Sequence, residues 1–216
     1  MTWGITIGII IIMGLFAFIG LIVFKEARTH RFWQSKVEEG DLDMITQLVQ
    51  AEVERWRTER PPKGMPATVW QGIQGVEVIE IAADYLHVSS TAEPQFALVG
   101  GQRRQVSSAV DEAKRITARL AERLFYDIPH IRAERVQIDV YTTFHEPDGA
   151  AAQRCVLSVL AERAVAAAAD WDNDPPEVIA EQLGVQYRLD ERGLPQPIEP
   201  GSVRVSTNGH GTESKT

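Results

Sequence analysis

Residues 3–24 constrain this chain more than any other feature: twenty-two positions, WGITIGIIIIMGLFAFIGLIVF, without one charged side chain. As a helix rising about 1.5 Å per residue, the run reaches roughly 33 Å, enough to cross a hydrocarbon core of about 30 Å. A cleavable signal peptide would place basic residues before a shorter apolar core and a small-residue cleavage site after it. Nothing basic precedes Trp3, and Phe24-Lys25-Glu26-Ala27-Arg28 offers no such site. The run is therefore expected to be a permanent transmembrane helix.

The flanks orient it. Lys25, Arg28, Arg31 and Lys36 follow the run in a basic juxtamembrane segment, 25–36, and the other flank has no Lys or Arg. Lys and Arg hold the side that carries them in the cytoplasm. The expectation is a single-pass protein of the cell membrane with its carboxyl-terminal domain in the cytoplasm. Trp3 on one side, with Phe32 and Trp33 on the other, suits the two interfaces, and a lone Cys155 agrees with a reducing compartment. The spacing Gly4-x-x-x-Gly8 allows close packing of two such helices, and so a homo-oligomer through the span, although glycine is common in such helices anyway. The lipid bilayer is the first partner implied. The four basic residues suffice to set topology and do not by themselves argue for lipid recognition.

Residues 37–216 hold 18 basic and 29 acidic side chains, a net of −11. A surface of that sign disfavours a nucleic-acid partner, whose phosphates need Lys and Arg. Between 37 and 199 the periodicities predict one α+β domain, and the Gly/Ser/Thr-rich 200–216 predicts a disordered tail. Leu42, Ile45, Leu48, Val49, Val53 and Trp56 make a helical stripe capped by Asp41 and stopped by Pro61-Pro62. Residues 67–99 read as strands. Ser107 or Ser108 caps a second helix with the stripe Val110, Ala113, Ile116, Leu120 and Leu124. Alternation over 135–144 predicts a half-buried strand. Residues 150–171 fit either one long alanine-rich helix or a return strand followed by a helix from Ala161, and the hairpin is the choice made here. A short helix opening at Pro175-Pro176 and ending at Gly184 follows, then an edge strand, 185–189. Hairpin, helix, hairpin, helix predicts a two-layer domain, an antiparallel sheet with helices on one face.

Candidate chemistry is sparse. No phosphate-binding glycine motif is present. His145-Glu146-Pro147-Asp148 gathers potential ligands, but adjacent residues rarely converge on one ion, so the segment reads as a polar turn. Asp139 on its strand, with Glu77 or Glu80 on another, could in principle hold a divalent cation for a metal-dependent hydrolase or nuclease-like enzyme. Alternation turns such acids outward instead, and Cys155 among apolar neighbours reads as a buried thiol. Arg115, Arg119 and Arg123, four apart on one helix, form a row able to meet an acidic partner, with Asp111 and Glu122 compensating part of it. No catalytic residue, cofactor or metal is assigned. The chain reads foremost as a membrane-anchored interaction or scaffold domain with a protein partner. An accessory subunit of a larger membrane complex and the hydrolase using Asp139 are the alternatives.

Overall fold

The structure is a computed structural model and describes residues 41–145 and 149–200. The expected span with Gly4 and Gly8, the basic residues Lys25, Arg28, Arg31 and Lys36, residues 201–216 and residues 146–148 lie outside the described residues. Among the described residues no helix is long and apolar enough to cross a membrane.

The chain enters through α1 (Leu42–Thr58), where the Asp41 side chain accepts from the Met44 amide, as its position before the apolar stripe predicts. After the proline segment comes α2 (Ala67–Gln74), then β1 (Glu77–Ile81) and β2 (Tyr85–Thr91). A hairpin of β3 (Gln95–Val99) and β4 (Gln102–Ser107) precedes the long helix α3 (Ala109–Tyr126). Ser108 and Asp111 form a reciprocal capping box at its start, the hydroxyl accepting from the Asp111 amide at 3.1 Å and the carboxylate accepting from the Ser108 amide at 3.2 Å. Strands β5 (Arg135–His145) and β6 (Ala151–Glu162) form the longest ladder, and one turn of helix, α4 (Arg163–Ala166), ends it. Helix α5 (Pro176–Gln182), β7 (Gln186–Leu189) and β8 (Pro195–Gln196) close the domain.

The fold is α+β, but the sheet is mixed. Its order is β1-β2-β5-β6-β7-β8; four neighbouring pairs are antiparallel and β2 runs parallel to β5, from Tyr85 opposite Arg135 to Thr91 opposite Tyr141. The expected purely antiparallel sheet is corrected on this point. Parallel neighbours cannot be joined by a tight turn and need a crossover, which α3 supplies. Two local readings are corrected as well. Residues 67–74 are helix α2, and the helix expected from Ala161 reduces to α4, because β6 continues to Glu162. The return strand chosen for 150–171 is present as β6.

One layer of helices covers one face of the sheet. Leu86, Val88, Val136, Ile138, Val140, Leu157 and Val159 alternate onto that face and share a core with Val49 and Trp56 of α1, Ile73 of α2, Ile116, Leu120 and Leu124 of α3, and Ile179 of α5. Burying one such side chain contributes roughly 1.5–3 kcal/mol, so this seam dominates stability. At Gly72 of α2 the seam leaves no room for a side chain. A Cβ there would lie 2.4 Å from Ile116 Cδ1, and the Gly72 carbonyl accepts from the Ser90 hydroxyl at 2.7 Å. Glycine brings α2 close enough to touch both α3 and β2. Gly72→Val is expected to destabilise the fold by about 1–3 kcal/mol through overpacking, seen as a lower denaturation midpoint; an unchanged midpoint would show that Ile116 yields freely.

Candidate functional site

Two groups of polar residues stand out, one on each side of the sheet. On the face turned away from the helices, Asp139 of β5 is 2% exposed and is held by three side chains. Ser158 of β6 donates to Oδ1 at 2.6 Å, the Gln137 amide donates to Oδ1 at 3.3 Å, and His87 Nε2 of β2 lies 2.7 Å from Oδ2. Tyr85 donates in turn to the Gln137 carbonyl at 3.1 Å. A buried carboxylate is tolerable when its oxygens are bonded in this way. The carboxylate sits between the histidine and the serine, so the imidazole is not placed to take a proton from Ser158, as a nucleophilic hydroxyl would require. The group cross-links three strands.

Asp139 does not gather the acids proposed from the sequence. Glu77 shares its register row, but Ser89 of β2 stands between them, which puts two strand spacings, about 10 Å, between the backbones. Glu80 lies in the next row, opposite His87, and both glutamates are exposed. Among the described residues no group of three His, Cys, Asp or Glu side chains is placed to hold a metal ion. Three members of the His145-Glu146-Pro147-Asp148 cluster, Glu146, Pro147 and Asp148, lie outside the described residues.

On the helical side, Arg115, Arg119 and Arg123 do converge. With Lys63, Met65 and Val69 they line a cleft of about 670 Å³ between α3, the loop 62–66 and the start of α5. Pro62, Pro66 and Pro176 stiffen its rim. The arginines differ in role. Arg115 reaches inward to Glu112, a fully buried acid that also accepts from the Thr68 hydroxyl at 2.8 Å, and outward to Glu177 of α5. Arg123 pairs with Glu59 at 3.2 Å and lies 4.9 Å from the Trp70 ring centroid, so it is wedged into the α1–α2–α3 junction. Among the described residues Arg119 bonds Glu122 alone, one turn along its own helix, at 2.7 Å. Asp111, expected from its spacing to compensate Arg115, accepts from Ser108 in the helix cap, and its charge also contributes to the field that favours the Arg115 cation. Burial raises the Asp127 carboxyl above the ordinary aspartate range, with Arg123 opposing, so mild acid neutralises it early and leaves the cleft more positive.

The partners of these arginines, Glu59, Glu112 and Glu177, come from α1, from one helical turn away and from α5. The pairs Glu112–Arg115 and Arg119–Glu122, at i to i+3, and Arg123–Asp127, at i to i+4, carry a signal in the sequence; Glu59 and Glu177 carry none. Comparison of the chain with models of protein families, with curated proteins and with solved structures finds no match.

Cys155 is buried on β6 near the Asp139 group, and burial, with Asp139 adding to it, pushes its thiol up to about 12. A thiol with its pKa raised that far from 9.0 stays protonated at pH 8, and the thiolate is the reactive form. Three units correspond to roughly a thousandfold less thiolate. Alkylation by iodoacetamide at pH 8 is expected to be slower in the native chain than in urea by at least about a hundredfold; comparable rates would contradict the buried, protonated thiol.

Proposed function

We propose that this chain is a single-pass membrane-anchored protein whose residues 37–199 form a cytoplasmic interaction domain without catalytic activity, and that a partner protein docks in the arginine cleft. Support for the anchor is the uncharged run 3–24 and its basic flank, Lys25, Arg28, Arg31 and Lys36. The observation that carries the docking reading is the composition of the cleft wall. Lys63, Arg115, Arg119 and Arg123 meet Glu122, Asp127 and Glu177, four positive against three negative, over an apolar floor of Met65 and Val69. Glu112 and Glu59 bind Arg115 and Arg123 from behind the wall, so Arg119 and Lys63 are the cations left to draw an acidic segment. Arginine beside apolar side chains is also the composition enriched at protein interfaces.

The internal carboxylates do not bar this. Glu122 and Glu177 are each 33% exposed, and surface pairs of this kind are worth roughly 0–1 kcal/mol, so an incoming carboxylate exchanges with them at little cost. Arg115 and Arg123 also hold the helices together, which leaves Arg119 and Lys63 as the residues free to serve a partner first. The saturated bonding of Asp139 supports a role in the sheet.

A photo-crosslinking residue at Met65, in the full chain in its native membranes, is expected to yield a discrete adduct with another protein. Arg119→Glu should abolish the adduct while shifting stability by no more than about 1 kcal/mol, because the ion pair it breaks, with Glu122, lies along one helix with each partner about a third exposed. A chain that stays uncrosslinked overturns the docking reading, and recovery of the intact chain in the soluble fraction without detergent overturns the anchor.

A further inference from the structure

Among the described residues the β3–β4 ribbon is fastened only at its base. The Ala92 amide donates to the Tyr141 carbonyl at 2.8 Å, the Thr143 amide and hydroxyl donate to Glu93 at 3.2 and 2.7 Å, and the Gln95 amide donates to Thr68. From there the two strands run out as a separate sheet. Gly100 and Gly101, at φ 61° and 80°, close it in the two-residue turn that needs both central residues in the left-handed region. A two-stranded ribbon with no third strand is marginal in water, and this one turns large apolar side chains outward. Phe96 and Leu98 occupy one side, Val99 and Val106 the other, and Leu98, next to the turn, is 79% exposed. Arg103 stands opposite Leu98, with its guanidinium 4.2 Å from the Phe96 ring centroid, and Arg104 stands opposite Ala97. Residues 95–107 contain these two arginines and no acid, in a chain of net charge −8.

We propose that the tip of this ribbon enters the headgroup region of an anionic bilayer, with Leu98 and Val99 immersed and Arg103 and Arg104 meeting lipid phosphates. Apolar side chains on both sides of the ribbon, with Val99 beside the glycine turn, suit immersion, since a protein added along one edge or one side would leave the other side wet. Charge selects the ribbon over the rest of the domain: an anionic leaflet attracts the two arginines and repels the surplus of acids elsewhere. The inference rests on the anchor proposed above for proximity. Only seventeen residues, 25–41, separate the apolar run from α1, a reach of at most about 60 Å. The tip then acts as a second point of contact, holding the domain in one orientation on the leaflet.

The test uses the full chain with Cys155→Ala and Leu98→Cys, labelled with an environment-sensitive fluorophore and reconstituted into vesicles of phosphatidylcholine alone or with phosphatidylglycerol. In the anionic vesicles emission at position 98 is expected to rise at least about twofold, shift to the blue and be quenched by spin-labelled lipid. Arg103→Glu with Arg104→Glu should return it to the water-exposed level, and the same label on Val178→Cys, exposed on α5, should remain unquenched throughout. Emission at 98 that stays water-like in chain that floats with both vesicles overturns the inference and leaves the anchor standing. Emission that rises with protein density but resists lipid quenching also overturns it, in favour of a protein on the ribbon. Chain that floats with neither vesicle overturns anchor and inference together.

Discussion

The parallel pairing of β2 with β5 is the constraint from which the rest of the domain follows. Strands that run side by side in one direction oblige the chain between them to travel back along the sheet, and α3 makes that return against the face carrying Val88, Ile138 and Val140. Once α3 lies there, α1, α2 and α5 complete the same layer, and the other face is left to polar side chains. The crossover also explains the hairpin. Thr91 ends β2 and Ala109 begins α3, and the chain between them forms a ribbon outside the main sheet.

The two faces handle charge in opposite ways. Glu112 and Asp139 are both buried acids, but Glu112 is met by a cation, Arg115, and by Thr68, whereas Asp139 is met by a histidine, a serine and an amide. Glu112 thereby links α3 to α2, and Asp139 links three strands. Because Arg115 serves Glu112, the arginine row is no uniform positive stripe: one member braces the core, one is lodged near two tryptophans, and Arg119 stays at the cleft surface. The docking proposal places its weight on that last residue.

Much of this was legible in the sequence where a single element decides its own form. The stripe and Asp41 cap of α1 and the Ser108 start of α3 appear where their periods place them, and β5 is a strand where its alternation places it. Gln137 and Asp139, however, expected outward on a half-buried strand, are buried at 8% and 2% because the polar face closes over them with hydrogen bonds. Elements decided by distant contacts were not legible. Residues 67–74, ATVWQGIQ, have the β-branched and aromatic content of a strand, and they fold as a helix because Gly72 lets that turn close on Ile116 and Ser90. QRRQVS has no apolar alternation and becomes β4 through the glycine turn and its pairing with β3. The direction of β2 relative to β5 is a property of the crossover, invisible in either strand. For the cleft, the row on α3 could be read, but the loop 62–66 and Glu177 that complete it come from far along the chain.

The pairing of β2 with β5 can be tested directly by native-state amide hydrogen exchange on the intact chain. Opening free energies rise from near zero in frayed segments to the global value in the core. The account predicts that the amides of β2 exchange in step with those of β5 and β6, at the slowest rates in the domain. Amides of β2 exchanging early and together with those of the β3–β4 ribbon, while β5 and β6 stay protected, would contradict it.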